Sequence, residues 1–225
     1  MQALSEIRSA RPAVRGRLCA CLDASATGRI QAAAGDLRLN GGETVYAAGT
    51  AADAVFGIRQ GAVALTNRLA DGRRQVLAFL FGGDTFGFSA DGTHGDSAET
   101  LGGTSLCRIP CSVIDQDRAL LANLRAAAQA MLAAAWQHQV LLGRMTAFER
   151  VYRFLSDLWV RLGRPTELHM PMKVADIGDH LGLRPETVSR GLARLRRDGT
   201  IGPWNADGFI PVIDPGRLFP PRAAA

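Results

Sequence analysis

The sequence predicts an α+β protein: a glycine-rich antiparallel β-roll, then one long helix, then a helix-turn-helix with a β-wing. Three observations carry this expectation. Short apolar, β-branched segments alternate with glycine turns over residues 35–110, and an alanine-rich, proline-free stretch runs from Val113 to Gly143. Near the C-terminus, DIGDHLGLRPETVSRGLARLRR has the spacing of two short helices closed by a tight turn.

The chain has 225 residues, 47% of them hydrophobic, enough for one or two cores without disulfide or metal staples. No run of about 18 apolar residues occurs, so no membrane span is expected. The N-terminal MQALSEIRSARPAVRGR is basic but lacks a following signal-type apolar stretch, and the expected location is the cytoplasm. The four cysteines, Cys19, Cys21, Cys107 and Cys111, are then poor disulfide candidates and read as buried, metal-binding or redox residues.

In the roll, ETVYAAG, AVFGIRQ, AVALTNRL, RRQVLAFLF and SLCRIP read as strands. The turns between them fall at NGG 40–42, Asp71-Gly72, Gly82-Gly83, Asp91-Gly92 and Gly102-Gly103. On the long helix, Leu120, Leu124, Ala127, Met131, Ala134, His138, Leu141 and Met145 recur at spacings of four and three. A second stripe, Ala128, Leu132, Ala135, Gln139 and Leu142, runs beside it. One stripe suits the chain's own roll and the other needs an outside partner, most simply the same helix of a second copy. A further helix is expected over Thr146–Leu162, stopped by Gly163 and Pro165. The expected boundaries are 1–112 for the roll, 113–145 for the dimerisation helix and 146–225 for the winged helix-turn-helix.

Within the helix-turn-helix, Ile177, Leu181, Leu183, Val188, Leu192 and Leu195 are the inward apolar positions. Gly178 keeps the first helix narrow, Gly182 suits a turn with positive φ, and Pro185 fits a first helical turn. The net charge of +5 is modest, but Arg184, Arg190, Arg194, Arg196 and Arg197 crowd around one carboxylate, Glu186. Arg184, Glu186, Thr187, Ser189, Arg190, Arg194 and Arg197 are therefore the candidate DNA contacts. An arginine fork suits guanine, a carboxylate suits cytosine N4, and a hydroxyl suits base or phosphate. A plain helical hairpin in a bundle would not need glycine, proline, arginine and wing signals together.

These segments resemble the CRP/FNR family of bacterial transcription regulators over nearly the whole chain. GETVYAAGTAADAVFGIRQGAVAL is similar to the family's β-roll opening, with Gly42, Gly49 and Gly61 at turns. FGGDTFGF at 81–88, SLCRIP at 105–110 and DIGDHLGLRPETVSR resemble its late strands and DNA-reading segment. The resemblance implies a cyclic-nucleotide-binding-like roll and a homodimer with Ala128, Leu132, Ala135, Gln139 and Leu142 between subunits. It also implies double-stranded DNA and RNA polymerase as partners. Glu186, Ser189 and Arg190 match the E-x-x-S-R pattern of its FNR and FixK branch, which implies palindromes with TTGAT-like half-sites. Arg184 departs from the usual Ser or Thr helix cap, and Gly191 replaces a larger apolar residue, a thin spot in the packing.

The same resemblance frames the signal. The branch that binds cyclic AMP has an arginine where this chain has Gly95-Asp96-Ser97-Ala98, and an aspartate opposes a phosphate, which argues against cyclic AMP. Cys107 stands at a position that holds an iron–sulfur ligand in FNR, so Cys19, Cys21, Cys107 and Cys111 form one possible four-thiolate set and an oxygen or redox response follows. Small buried apolar residues or redox-labile thiols are the other reading of the same cysteines. His94, His138, His169 and His180 form no ligand spacing; His138 reads as packed, and His180 as facing solvent or phosphate. A haem-based gas sensor and a nucleotide receptor with a vestigial DNA unit are the rival classes. No nucleophile–base pair or phosphate loop points to an enzyme.

Overall fold

The computed structural model describes residues 35–218. By their contacts these residues form two units, one made of residues 35–65 with 79–131, the other of residues 66–78 with 132–218. The hairpin 66–78 groups with the second unit through bonds to Asp176, Asp179 and His180.

The expected roll falls mostly in the first unit, with the end of β4 and the first part of β5 in the second. Eight strands, β1 (Gly35–Leu39), β2 (Thr44–Tyr46), β3 (Ala54–Gln60), β4 (Ala62–Arg68), β5 (Arg74–Phe81), β6 (Thr85–Phe86), β7 (Ser97–Thr100) and β8 (Thr104–Pro110), make two four-stranded sheets. Their orders are β1-β8-β3-β6 and β2-β7-β4-β5. Strand β8 is central to the first sheet, with Cys107 opposite Asp36 on one side and Gly57 on the other. Ile58, Phe86, Leu106 and Ile109 are fully buried in the core, and the Tyr46, Phe56 and Phe86 rings cluster with centroids 5.4–6.0 Å apart. Gly42, Gly49 and Gly61 all have positive φ, as their turn positions require. Strands β1, β6 and β7 were not among the segments the sequence pattern singles out.

The long helix begins later than its composition suggests. A short helix, α1 (Cys111–Ile114), is followed by a break, and α2 runs from Arg118 to Arg144, about 40 Å at 1.5 Å per residue. Asp117 makes the new start, its Oδ1 accepting from Ala119 N and Leu120 N at 3.0 Å. Leu120 and Leu124 join Val55, Cys107, Ile109 and Ile114 in one buried cluster.

In the second unit, α3 (Ala147–Arg161) starts on a capping box between Thr146 and Glu149. Strand β9 (Glu167–His169), α4 (Val174–Leu181), α5 (Pro185–Arg197), β10 (Phe209–Pro211) and α6 (Pro215–Leu218) complete it. The wing is a hairpin only in part. Ile201 bridges Val212 and Gly202 N donates to Pro211 O, but β10 also pairs with β9, a strand the sequence reading leaves out. No described helix is long and apolar enough to cross a membrane.

Candidate nucleic-acid interface

The turn between α4 and α5 is set by two glycines. Gly182 adopts φ 63°, ψ 38°, and its N–H and that of Leu183 both return to Gly178 O. A Cβ on Gly178 would lie 2.6 Å from Leu183 O, so the turn closes only over a glycine. Arg184 occupies the N-cap of α5 without a side-chain cap, as expected from the missing hydroxyl, and Pro185 opens the helix.

Helix α5 is sharply two-faced. Val188, Gly191 and Leu195 are buried, whereas Arg184, Glu186, Ser189, Arg190, Arg194 and Arg197 are exposed and Thr187 is half-buried. Leu192, expected inside, is only half-buried. Gly191 takes the inner position instead, and a Cβ there would meet Val151 side-chain atoms of α3 at 3.0–3.1 Å. The expected thin spot is thus a close helix–helix approach, because the branched Val151 fills the space a larger residue would use.

The exposed residues are not equally free. Arg190 Nη2 donates to Thr187 Oγ1 at 3.1 Å, so its near partner is Thr187 rather than Glu186. Arg194 turns back onto α3, its guanidinium carbon 3.9 Å from the Phe148 ring centroid and its Nε 3.9 Å from Asp198. Glu186, Ser189 and Arg190 remain together on the outer face of the first turns of α5, where such a helix meets base edges.

His180 does not face solvent. Its Nδ1 donates to Val76 O at 3.0 Å and its ring stacks on His138, so burial and the neighbouring imidazole push it down to about 4. Along helix α2 the two stripes are unevenly buried, and Ala134 of the first is exposed. Leu120, Leu124 and Leu141 are buried, Ala128 and Leu142 half-buried, and Ala135 and Gln139 exposed. Leu132 is 50% exposed, and Leu121, Trp136 and Val140 are 42%, 61% and 59% exposed. The sequence reading missed these last three, although 132, 136 and 140 follow one another at the i, i+4 spacing of a single face.

The roll's sensor positions do not fit a cyclic phosphate. Asp96 Oδ1 accepts from Tyr46 Oη at 3.0 Å, and Ser97 Oγ accepts from Ala48 N, so acidic and acceptor groups occupy the segment where a cyclic phosphate needs a cation. Burial raises the Asp96 carboxyl. His94 stacks on Tyr46 with centroids 3.6 Å apart, and its buried Nδ1 has no hydrogen-bond partner among the described residues. Cys107 lies in the apolar cluster, and Cys111 Sγ donates to Ala52 O at 3.7 Å, burial holding that thiol protonated. A raised Cys111 thiol is not the thiolate that ligates a cluster. Cys19 and Cys21 lie outside the described residues. Among the described residues no group of three or more His, Cys, Asp or Glu could hold a metal ion.

Known proteins share both halves of this arrangement. A cyclic nucleotide-binding domain model matches residues 37–116, and a Crp-like helix-turn-helix domain model matches residues 149–219. The nitrogen fixation regulation protein FixK of Bradyrhizobium diazoefficiens is 32% identical over 209 residues, 89% of this chain and 87% of its own length. This chain belongs to the CRP/FNR family of transcription regulators. The transcriptional activatory protein AadR of Rhodopseudomonas palustris, similar over 95% of this chain and 92% of its own, is 33% identical. The structure of FixK2 from Bradyrhizobium japonicum superposes with a TM-score of 0.78 at 35% identity, covering 85% of this chain and 99% of that one. The CRP/FNR membership accounts for the roll, the long helix and the DNA-binding helix-turn-helix, and the relatives are regulators rather than enzymes.

Proposed function

We propose that this regulator acts in the cytoplasm as a homodimer joined along α2, and that its two α5 helices read the halves of a palindrome with TTGAT-like half-sites. The observation that carries the reading is the outer face of α5, where Glu186, Ser189 and Arg190 stand exposed while Val188, Gly191 and Leu195 anchor the opposite face. The exposed apolar row Leu121, Leu132, Trp136 and Val140 supports a twin helix as partner, since burying such a row removes large apolar areas from water. RNA polymerase is the further partner of a bound dimer.

The signal is not cyclic AMP in this reading, because Asp96 and Tyr46 already satisfy each other. A redox response falls on cysteine thiols: Cys107 is packed in the apolar cluster, burial raises the Cys111 thiol, and Cys19 and Cys21 lie outside the described residues. The testing experiment pairs sedimentation with binding to a duplex carrying TTGAT-N4-ATCAA. A dimer that binds this duplex about a thousandfold or more above scrambled DNA supports the reading. A monomer at micromolar concentration, or binding indifferent to sequence, overturns it.

A further inference from the structure

An α-helix ends with carbonyls that have no partner inside it. In α4 three of the last carbonyls are taken by specific donors. Gly178 O receives Gly182 N and Leu183 N of the turn. His180 O receives His138 Nε2 from α2 at 3.0 Å and Gln75 Nε2 from the hairpin 66–78 at 3.3 Å. Leu181 O receives Arg150 Nη1 from α3 at 3.0 Å. Because a carbonyl only accepts, His138 carries its proton on Nε2.

Arg150 does more than close α4. Its Nη2 donates to Leu142 O at 2.6 Å and its Nε to Met145 O at 3.0 Å, the last carbonyls of α2 and of the bend after it. One planar fork thus joins the C-terminal ends of two helices, where both backbone dipoles present partial negative charge. The hairpin adds a second hold on α4, with Arg74 Nη1 2.8 Å from Asp176 Oδ1 and 3.2 Å from Asp179 Oδ2. Helix α5 is tied closely to α4, since Leu183 N donates to Gly178 O at 2.9 Å and a Cβ on Gly178 would lie 2.6 Å from Leu183 O.

The angle between the C-terminal part of α2, residues 132–144, and α5 is therefore held by hydrogen bonds from Arg150 and His138 to backbone carbonyls, with Gln75 tying α4 to the hairpin, and not by apolar packing alone. We propose that Arg150, assisted by His138 and Gln75, is a positioning residue that fixes this angle and thereby the spacer length the dimer accepts between half-sites. The inference rests on the reading of the chain as a palindrome-binding dimer joined along α2. Its logic is geometric. Each base pair added between half-sites moves the second by about 3.4 Å and turns it by about 35° around the duplex. A dimer with a fixed angle rejects that change, while one with a loose angle follows it. Arg150 touches no base in this scheme, so its loss should leave the preference within each half-site alone.

The test measures DNA affinity of the full chain over a set of palindromes whose spacers run from about three to about six base pairs. It also covers single-base variants of one half-site at the best spacer. For the unaltered protein the best spacer should be favoured by about tenfold over its neighbours. In Arg150→Ala this preference should fall to about threefold or less, while discrimination between single-base variants stays within about twofold. Arg150→Lys, with a point charge unable to reach three carbonyls in a fork, should fall between the two. If the alanine variant does not fold, as judged by thermal unfolding, the lysine variant decides alone. A folded variant that binds more weakly at every spacer yet keeps the original preference overturns the proposal, and so does an unaltered protein indifferent to spacer length. Failure of the unaltered protein to bind any palindrome overturns the proposed function and this inference together.

Discussion

The rings of His138 and His180 lie stacked, centroids 4.1 Å apart and planes 17° from parallel, while each ring donates to a backbone carbonyl. Two charged imidazolium rings could not share this geometry. Burial lowers both groups, His180 to about 4, from an ordinary value near 6.5.

Stability should therefore depend on pH in a defined window. The unfolded chain takes up the His180 proton near pH 6.5 and the folded one only near about 4, so the contribution is complete above about 6.5 and declines as the pH falls towards 4. About 2–3 kcal/mol should be lost across that window. Urea unfolding at stepped pH measures it, and His180→Gln should flatten the curve over the same range. An unchanged slope in that variant would show that other groups produce the dependence.

Base reading should separate Arg190 from Arg197. Arg190→Ala should cost about 1–3 kcal/mol per half-site and relax the choice at one base pair. Arg197→Ala should weaken all sequences alike and reduce the salt dependence by about one unit. Titrations against every single-base variant of the half-site distinguish these patterns.

Removing one hydroxyl should expose the cost of the acidic group in the roll. Tyr46→Phe deletes the donor to Asp96 Oδ1 and leaves a partly buried carboxyl with one bond fewer, at a cost of about 1–3 kcal/mol. Thermal unfolding checks this. The same assay should show no rise in midpoint on adding cyclic AMP to the unaltered protein, because no described cation stands where Asp96 does.

Cys107→Ala should behave as a small core truncation. It removes one sulfur from the cluster of Val55, Ile109, Ile114, Leu120 and Leu124, for about 1 kcal/mol, and leaves DNA affinity in air unchanged. Iron bound stoichiometrically by anaerobically purified protein, and lost in this variant, would contradict the expectation.

The parts of the molecule that were legible in its sequence are those whose signal is local or periodic. The long helix followed from its alanine-rich, proline-free stretch, and the Gly182 turn followed from a residue type that tolerates positive φ. Strands of two to five residues such as β6, β7 and β1 carry too few side chains to declare a period. His180 was misplaced because the atom that turns it inward, Val76 O, is 104 residues away. Arg150 gave no sign at all, since its partners are backbone carbonyls, a group every residue possesses. Among the expected DNA contacts, the outward row of α5 was legible from its helical phase. The withdrawal of Arg194 onto Phe148 was not, because it depends on where α3 lies.

The close approach of Gly191 to Val151 links two positions that are far apart in the chain but share one small volume. Their side chains compete for that volume, so the two sites are not free to vary separately. A homologous chain with alanine or leucine at the first position should have a smaller residue at the second, or else set its DNA-reading helix farther from α3. Covariation between these two columns would thus trace how deeply that helix is seated across the family, and Gly191 with Val151 would mark the deep end of the range.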